Sequence, residues 1–434
     1  MSRLVVIGAG AMGLAAAYRA AKNGHEVTLV EAAPEPGGMA GHFNFDGLSL
    51  ERFYHFVCKT DYPTFELMEE LGIATKLVWR PTSMGFFRGN KVYRWGDPLS
   101  LLRFPYLSVI DKFRYGLFAF VCIRRNSWPA IEHESAHDWI IRWCGQSVYD
   151  HLWRPLFAHK FYEYSENISA AWIWTRIRRI GRSRRSILQE ELGYIDGGTI
   201  TLVNALTDGI RKHGGVIQLA QPVRQVLVEN GRVKGVETID RNAKVHNYTA
   251  DAVICTAPTP LVSAIVPDLP PEWKARYESI HNIAVICVIF KLTRSVTPHF
   301  WVNVSEPDIE IPGIIEFSRL RDTGGQTIVY VPYYMPATHP KFSWDDDDLL
   351  VDALKYLQRI NPDISGKHVV ATKVARMRHG QPICEPGFNV KIPPIQTPIA
   401  GLQIADTCFY YPEDRGIAES VRLGSKMAAA IGEP

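Results

Sequence analysis

Residues 4–41 read LVVIGAGAMGLAAAYRAAKNGHEVTLVEAAPEPGGMAG, and the fold turns on them. Leu4-Val5-Val6-Ile7 is apolar and mostly β-branched, the pattern of a buried parallel strand. It stops at Gly8-Ala9-Gly10-Ala11-Met12-Gly13, a G-x-G-x-x-G that opens the alanine-rich helical run 14–22. Gly24 ends the helix, Val27-Thr28-Leu29-Val30 is a second strand, and Glu31 closes it. Each part has a task in holding a dinucleotide. Gly8 permits the turn, Gly10 lets backbone approach a pyrophosphate, and Gly13 brings helix and strand together. The helix start at Ala11 and Met12 offers unpaired N–H groups to phosphate oxygens. Glu31 can accept hydrogen bonds from a ribose and would repel a 2′-phosphate.

After Glu31 a nicotinamide dehydrogenase would continue to another crossover helix. Here Ala32 leads into a loop rich in proline and glycine, Pro34-Glu35-Pro36-Gly37-Gly38-Met39-Ala40-Gly41. A glycine pair at this point resembles the extended FAD fingerprint of the flavin amine oxidase superfamily, which includes monoamine oxidases, protoporphyrinogen oxidases and carotenoid desaturases. The resemblance implies FAD, held at this end by Gly8, Gly10, Ala11, Met12, Gly13, Glu31, Ala32, Gly38 and Met39. The glycine pair would lie against the pyrophosphate and the flavin edge, with Met39 in contact through its backbone.

A chain of 434 residues is long for one compact unit, and 46% apolar with 21% charged residues describes an ordinary globular protein. A net charge of +3 is too small to imply nucleic acid. Seven scattered cysteines without a C-x-x-C read as a reducing compartment, with neither disulfides nor a zinc site. The N-terminus enters a strand at once, which predicts no targeting peptide. The longest apolar runs fall well short of the ~20 residues that span a bilayer. The expectation is a cytoplasmic protein, at most peripheral to the inner membrane.

The middle of the chain lacks nucleotide motifs and reads as a substrate domain. Phe53-Tyr54-His55-Phe56 is a candidate wall of the substrate pocket, with Glu51 just before it as the candidate for the superfamily's flavin-side acid. Residues 99–125 mix Leu, Phe, Tyr and Val with basic side chains, a pattern suited to a hydrophobic tunnel, internal packing or a membrane interface. Six arginines between 176 and 185 form either a solvated face or an anion site. Thr199 is a candidate N-cap for a helix over 200–213. Strands are expected at 283–292 and 327–330, followed by Tyr333-Tyr334, with Trp301 between them.

Two later segments complete the resemblance. Val223 follows a Gly-Gly helix and a strand, where a superfamily residue contacts adenine through its backbone. Leu402-Gln403-Ile404-Ala405-Asp406 is a strand ending on an acid, followed by a loop and a helical run from Glu419. That order is similar to the superfamily's closing motif and implies Asp406 on the ribityl chain. The helix N-terminus at Ser420 and Val421 would face the flavin pyrimidine, where N–H groups stabilise negative charge.

The expected architecture is α/β, a Rossmann-like FAD-binding domain (1–60, 191–265 and 396–434). It is interleaved with an α+β substrate domain on a mixed or antiparallel sheet (61–190 and 266–395). The expected function is an FAD-dependent oxidoreductase that dehydrogenates an amine or a hydrophobic substrate, isoprenoids included, by hydride transfer to flavin N5. The substrate pocket would be built from Tyr54, His55, Trp301, Tyr333, Tyr334 and Tyr410, with His55 as the candidate base and no metal. The partner is a small molecule, with 99–125 offering a peripheral membrane contact. Two alternatives stay open. One is a redox-neutral mutase resembling UDP-galactopyranose mutase, with the 176–185 arginines on a sugar-nucleotide diphosphate. The other is a flavin-binding protein without turnover.

Overall fold

The computed structural model describes residues 2–431. Strands Arg3–Ile7 and Glu26–Val30 pair in parallel, Ile7 opposite Val30, around the helix Ala11–Lys22. Distant segments extend this unit into a five-stranded parallel sheet of order 216–218, 26–30, 3–7, 252–255, 402–404. Its strands are apolar along their whole length because helices and loops cover both faces.

Beside it lies a seven-stranded mixed sheet, ordered 369–382, 282–292, 327–335, 313–316, 301–304, 84–88, 91–95. Only the 84–88 and 301–304 pair runs parallel; the other neighbours are antiparallel. The helices Val109–Arg124, Ala136–Cys144, Arg154–Phe161 and Ala170–Arg182 build an aromatic-rich core with one face of this sheet. The helix Asp346–Ile360 covers the other face.

Three expectations need correction. Tyr333 and Tyr334 do not follow a strand but lie inside Thr327–Met335. Successive side chains on a strand point to opposite faces, so the two tyrosines part company. Thr199 is the first residue of its helix rather than the cap, which is Gly198. Its N–H is taken by Glu51 Oε1 at 3.0 Å, and its hydroxyl donates to Ala40 O. The C-terminal helix runs Ile417–Ala429 with Gly416 as its cap, two residues earlier than expected.

Candidate functional site

One cavity of about 850 Å³ runs from the glycine turn to the large sheet. At its first end Gly10 caps the helix Ala11–Lys22 in extended conformation, and no side chain caps that end. A Cβ on Gly10 would meet nothing within 4 Å, whereas one on Gly13 would lie 1.8 Å from Gly8 O. Gly10 therefore keeps open a space in front of free N–H groups, and Gly13 permits close packing. Gly13 itself does not line the cavity.

Glu31 does more than face the cavity. Its two carboxylate oxygens accept from Ala9 N and Ala33 N, each at 2.7 Å, which ties the glycine turn to the following loop. Gly37 and Gly38 both have positive φ (121° and 56°), and Gly37 N donates to Ala9 O. Ala32, Gly38, Met39 and Val223 line the same end. Gln221 N donates to Glu31 O, which holds the Val223 segment beside the acid.

Asp406 enters from the end of the strand Leu402–Ile404, its oxygens accepting from Thr259 N and Cys408 N. Gly416, Ile417 and Ser420 line the cavity; Val421 is buried against the first helix region instead. The first free N–H groups of this helix thus follow Gly416, not Ser420 and Val421. Two helix N-termini and a backbone cradle converge on one elongated space. Donors for phosphates, a ribose acceptor at Glu31 and a further acceptor at Asp406 fit the FAD that the resemblance implies.

The far end is aromatic. Tyr54 packs edge-on against Trp301 (5.4 Å between centroids) and Tyr330 (5.9 Å), and Trp301, Tyr334, Phe56 and Phe300 continue the wall. Tyr410 lines the cavity with its hydroxyl bonded to Ser420 Oγ. Tyr333 does not reach it: it sits on the opposite face and donates to Asp352 at 3.1 Å. Glu51 is equally remote, being buried in an ion pair with Arg321 at 2.9 Å.

His55 lines the cavity, and its Nδ1 lies 2.7 Å from Phe53 O. A carbonyl only accepts, so Nδ1 carries the hydrogen and Nε2 is an acceptor. Burial lowers its pKa to about 4, with Arg415 and Arg179 also disfavouring the imidazolium. At neutral pH it is an uncharged hydrogen-bond acceptor and a weak base.

The helices 154–161 and 170–182 supply what the sequence reading missed. A π-helical turn at Tyr149–Trp153 precedes the first, and Trp153, Leu156, Phe157 and Lys160 face the cavity. Of the six arginines, Arg176 and Arg179 reach it, while Arg182 binds Ile123 O and Arg184 binds Gly96 O. Arg176 pairs with Asp414 at 2.6 Å and Arg179 with Asp61 at 2.7 Å. The loop carrying Asp414 and Arg415 is pinned there by Thr175 Oγ1 donating to Pro412 O and by Tyr411 bonding Ser169.

A model of flavin containing amine oxidoreductases matches residues 13–382. The chloroplastic zeta-carotene desaturase of Zea mays is 26% identical over 333 residues, 69% of this chain and 56% of that one. The chain spans less than two thirds of the length of the curated relatives it matches. The fold is shared with cyclohexylamine oxidase from Brevibacterium oxydans (TM-score 0.73, 16% identity, 99% of this chain and 98% of that one). It is shared equally with a reduced UDP-galactopyranose mutase (TM-score 0.73, 14% identity, 99% and 94%).

Proposed function

The chain belongs to the flavin-containing amine oxidoreductase family, whose cofactor is FAD, and from that premise we propose that it dehydrogenates a hydrophobic substrate. The observation that carries this reading is the continuity of the cavity. Gly10 and Glu31 at one end and the Tyr54, Trp301 and Tyr334 wall at the other line a single space. When bound, the flavin supplies a hydride acceptor. The protein would hold the diphosphate on the turn at Gly8–Gly13 and the Ala11–Lys22 helix start, with Glu31 on a ribose. Asp406 and the N-terminus after Gly416 would hold the remainder. Tyr54, Trp301 and Tyr334 orient an apolar body and exclude water, and His55 Nε2 is the acceptor for the proton released at the reacting centre. A single weak base suffices, because removing hydrogen as hydride leaves at most one proton to be accepted.

A peripheral membrane contact through 99–125 belongs to the same proposal. No helix among the described residues is long and apolar enough to cross a bilayer. Yet Val109, Ile110 and Phe113 are 82%, 71% and 73% exposed on one helix. Arg103 lies just before them and Arg124 at the far end of the same helix, charges complementary to anionic lipid headgroups.

The test is anaerobic bleaching of the flavin absorbance in the purified holoprotein by a panel of amines, prenyl compounds and sugar nucleotides. Bleaching by an apolar C–H donor is expected. Turnover of a sugar nucleotide by pre-reduced protein, with no bleaching by any other class, would overturn the reading in favour of a mutase.

A further inference from the structure

The charges at the aromatic end do not balance. Arg176 and Arg179 have carboxylate partners in Asp414 and Asp61. Lys160 and Arg415, which line the same end, make no ion pair among the described residues. Lys160 Nζ lies 4.9 Å from the Tyr334 ring centroid and Arg415 Cζ 5.7 Å from it, so both cations flank one aromatic side chain. Arg415 donates to Gly380 O and, at 3.2 Å, to Tyr334 Oη. Lys160 has no hydrogen-bond acceptor among the described residues. The other cavity carboxylates are engaged elsewhere: Glu31 and Asp406 at the cofactor end, and Glu190 with Thr82.

Arg176 Nε is buried without a partner. Gln381, which lines the cavity and is 1% exposed, has neither Nε2 nor Oε1 satisfied. Buried polar groups without partners are costly, and buried cations more so unless paired. Lys160, Arg176 Nε and Gln381 Nε2 lack acceptors among the described residues, while Gln381 Oε1 lacks a donor. A cationic amine brings only donors and positive charge; an oxyanion brings acceptors and negative charge.

We propose that this end of the cavity is an anion site: Lys160 and Arg415, assisted by Arg176, bind a carboxylate or phosphate carried by an otherwise apolar substrate. The proposal rests on the dehydrogenase reading for the role of that ligand, but not for its binding. Burial holds the Lys160 ammonium well below its ordinary pKa, Arg176 adds to this, and Asp414 opposes it only in part. An oxyanion would favour the charged form of Lys160 and give it a short charged hydrogen bond. Arg415, by contrast, presents a planar fork. The loop anchors at Pro412 and Tyr411 fix where that fork stands.

Binding to the oxidised holoprotein tests this without requiring turnover. The probes are dodecanoate, dodecyl phosphate, dodecanol and dodecylammonium, followed by perturbation of the flavin spectrum and by calorimetry. Either anion is expected to bind at least about tenfold more tightly than the alcohol, and the ammonium most weakly. Preference for carboxylate or for phosphate tells the two sources apart. Lys160→Met and Arg415→Met should each weaken the preferred anion about ten- to a hundredfold while leaving the alcohol unchanged. A retained flavin spectrum shows that each variant is folded. Equal binding of alcohol and anion, tighter binding of the ammonium, no binding of either anion, or indifference of both variants overturns the proposal. A confirmed anion preference with no bleaching by any compound would sink the dehydrogenase reading and leave the anion site standing.

Discussion

At the scale of single residues, His55 shows how burial converts an ordinary side chain into a specialised one. Its identity was legible as a pocket candidate, but the bond to Phe53 O that fixes its tautomer was not, because backbone direction at Phe53 is set by tertiary packing. The same limit separates Tyr334 from Tyr333. Both were visible as aromatics, and only the strand's extent decides which one faces the cavity. The depressed pKa of His55 has a measurable sign. Unfolded, the imidazole protonates below about 6.5; folded, it resists protonation until about 4. Between those values the unfolded chain binds more protons, so stability falls as pH drops through the window and levels out below it. The shift corresponds to about 3 kcal/mol. Urea titrations of wild type and His55→Gln should show the wild type's advantage shrinking by about that amount from pH 7 to pH 4. A gap that stays constant would mean that the imidazole is not held neutral.

At the scale of elements, the opening βαβ unit was readable because its constraints are local: a turn, a helix start and a strand end within 30 residues. The helix at the other terminus was readable in type but displaced by two residues. Its start depends on Gly416, and nothing in the local pattern distinguishes that residue from the loop before it. What joins the two helices is also a glycine. A Cβ on Gly424 would lie 2.3 Å from Met12 O and 3.1 Å from Ala16 N, both backbone atoms that cannot move aside cheaply. In an isolated helix Gly→Ala stabilises by about 0.5–1 kcal/mol. Overpacking at a tight contact costs about 1–3 kcal/mol, so the clash wins. Gly424→Ala is expected to lower stability by about 1–2 kcal/mol in urea and to weaken retention of FAD. Gly116→Ala is the control. Its Cβ would meet only Leu101 Cδ2 at an ordinary 3.7 Å, so the propensity gain of about 0.5–1 kcal/mol should survive. Equal signs for the two variants would refute the close-contact argument.

At the scale of the whole molecule, the three segments that converge on the cofactor end come from opposite ends and the middle of the chain, and sequence order alone brought them within view. Sequence pattern could not decide which face of residues 99–125 meets solvent, since tunnel lining, core and membrane interface all favour the same side chains. In the structure, Phe118 and Cys122 turn inward while Val109, Ile110, Phe113, Leu117 and Phe120 turn out. This helix packs on Ala170–Arg182, whose other side lines the cavity, so the exposed apolar face lies one helix away from the substrate end. An amphiphile with an apolar body and an acidic head would be drawn from such a surface. Burying one large apolar side chain contributes about 1.5–3 kcal/mol, and each nearby Lys or Arg about 1 kcal/mol at an anionic membrane. The holoprotein is therefore expected to co-sediment with vesicles containing phosphatidylserine, less so as salt rises, and weakly with purely zwitterionic ones. Ile110→Glu with Phe113→Glu should cut partitioning at least about tenfold while changing folding stability by no more than about 0.5 kcal/mol, because both sites are exposed. Vesicle binding that ignores both lipid charge and the double substitution would refute the contact. So would a concentration-dependent dimer that the double substitution dissolves, which would assign the same face to a second copy of the chain.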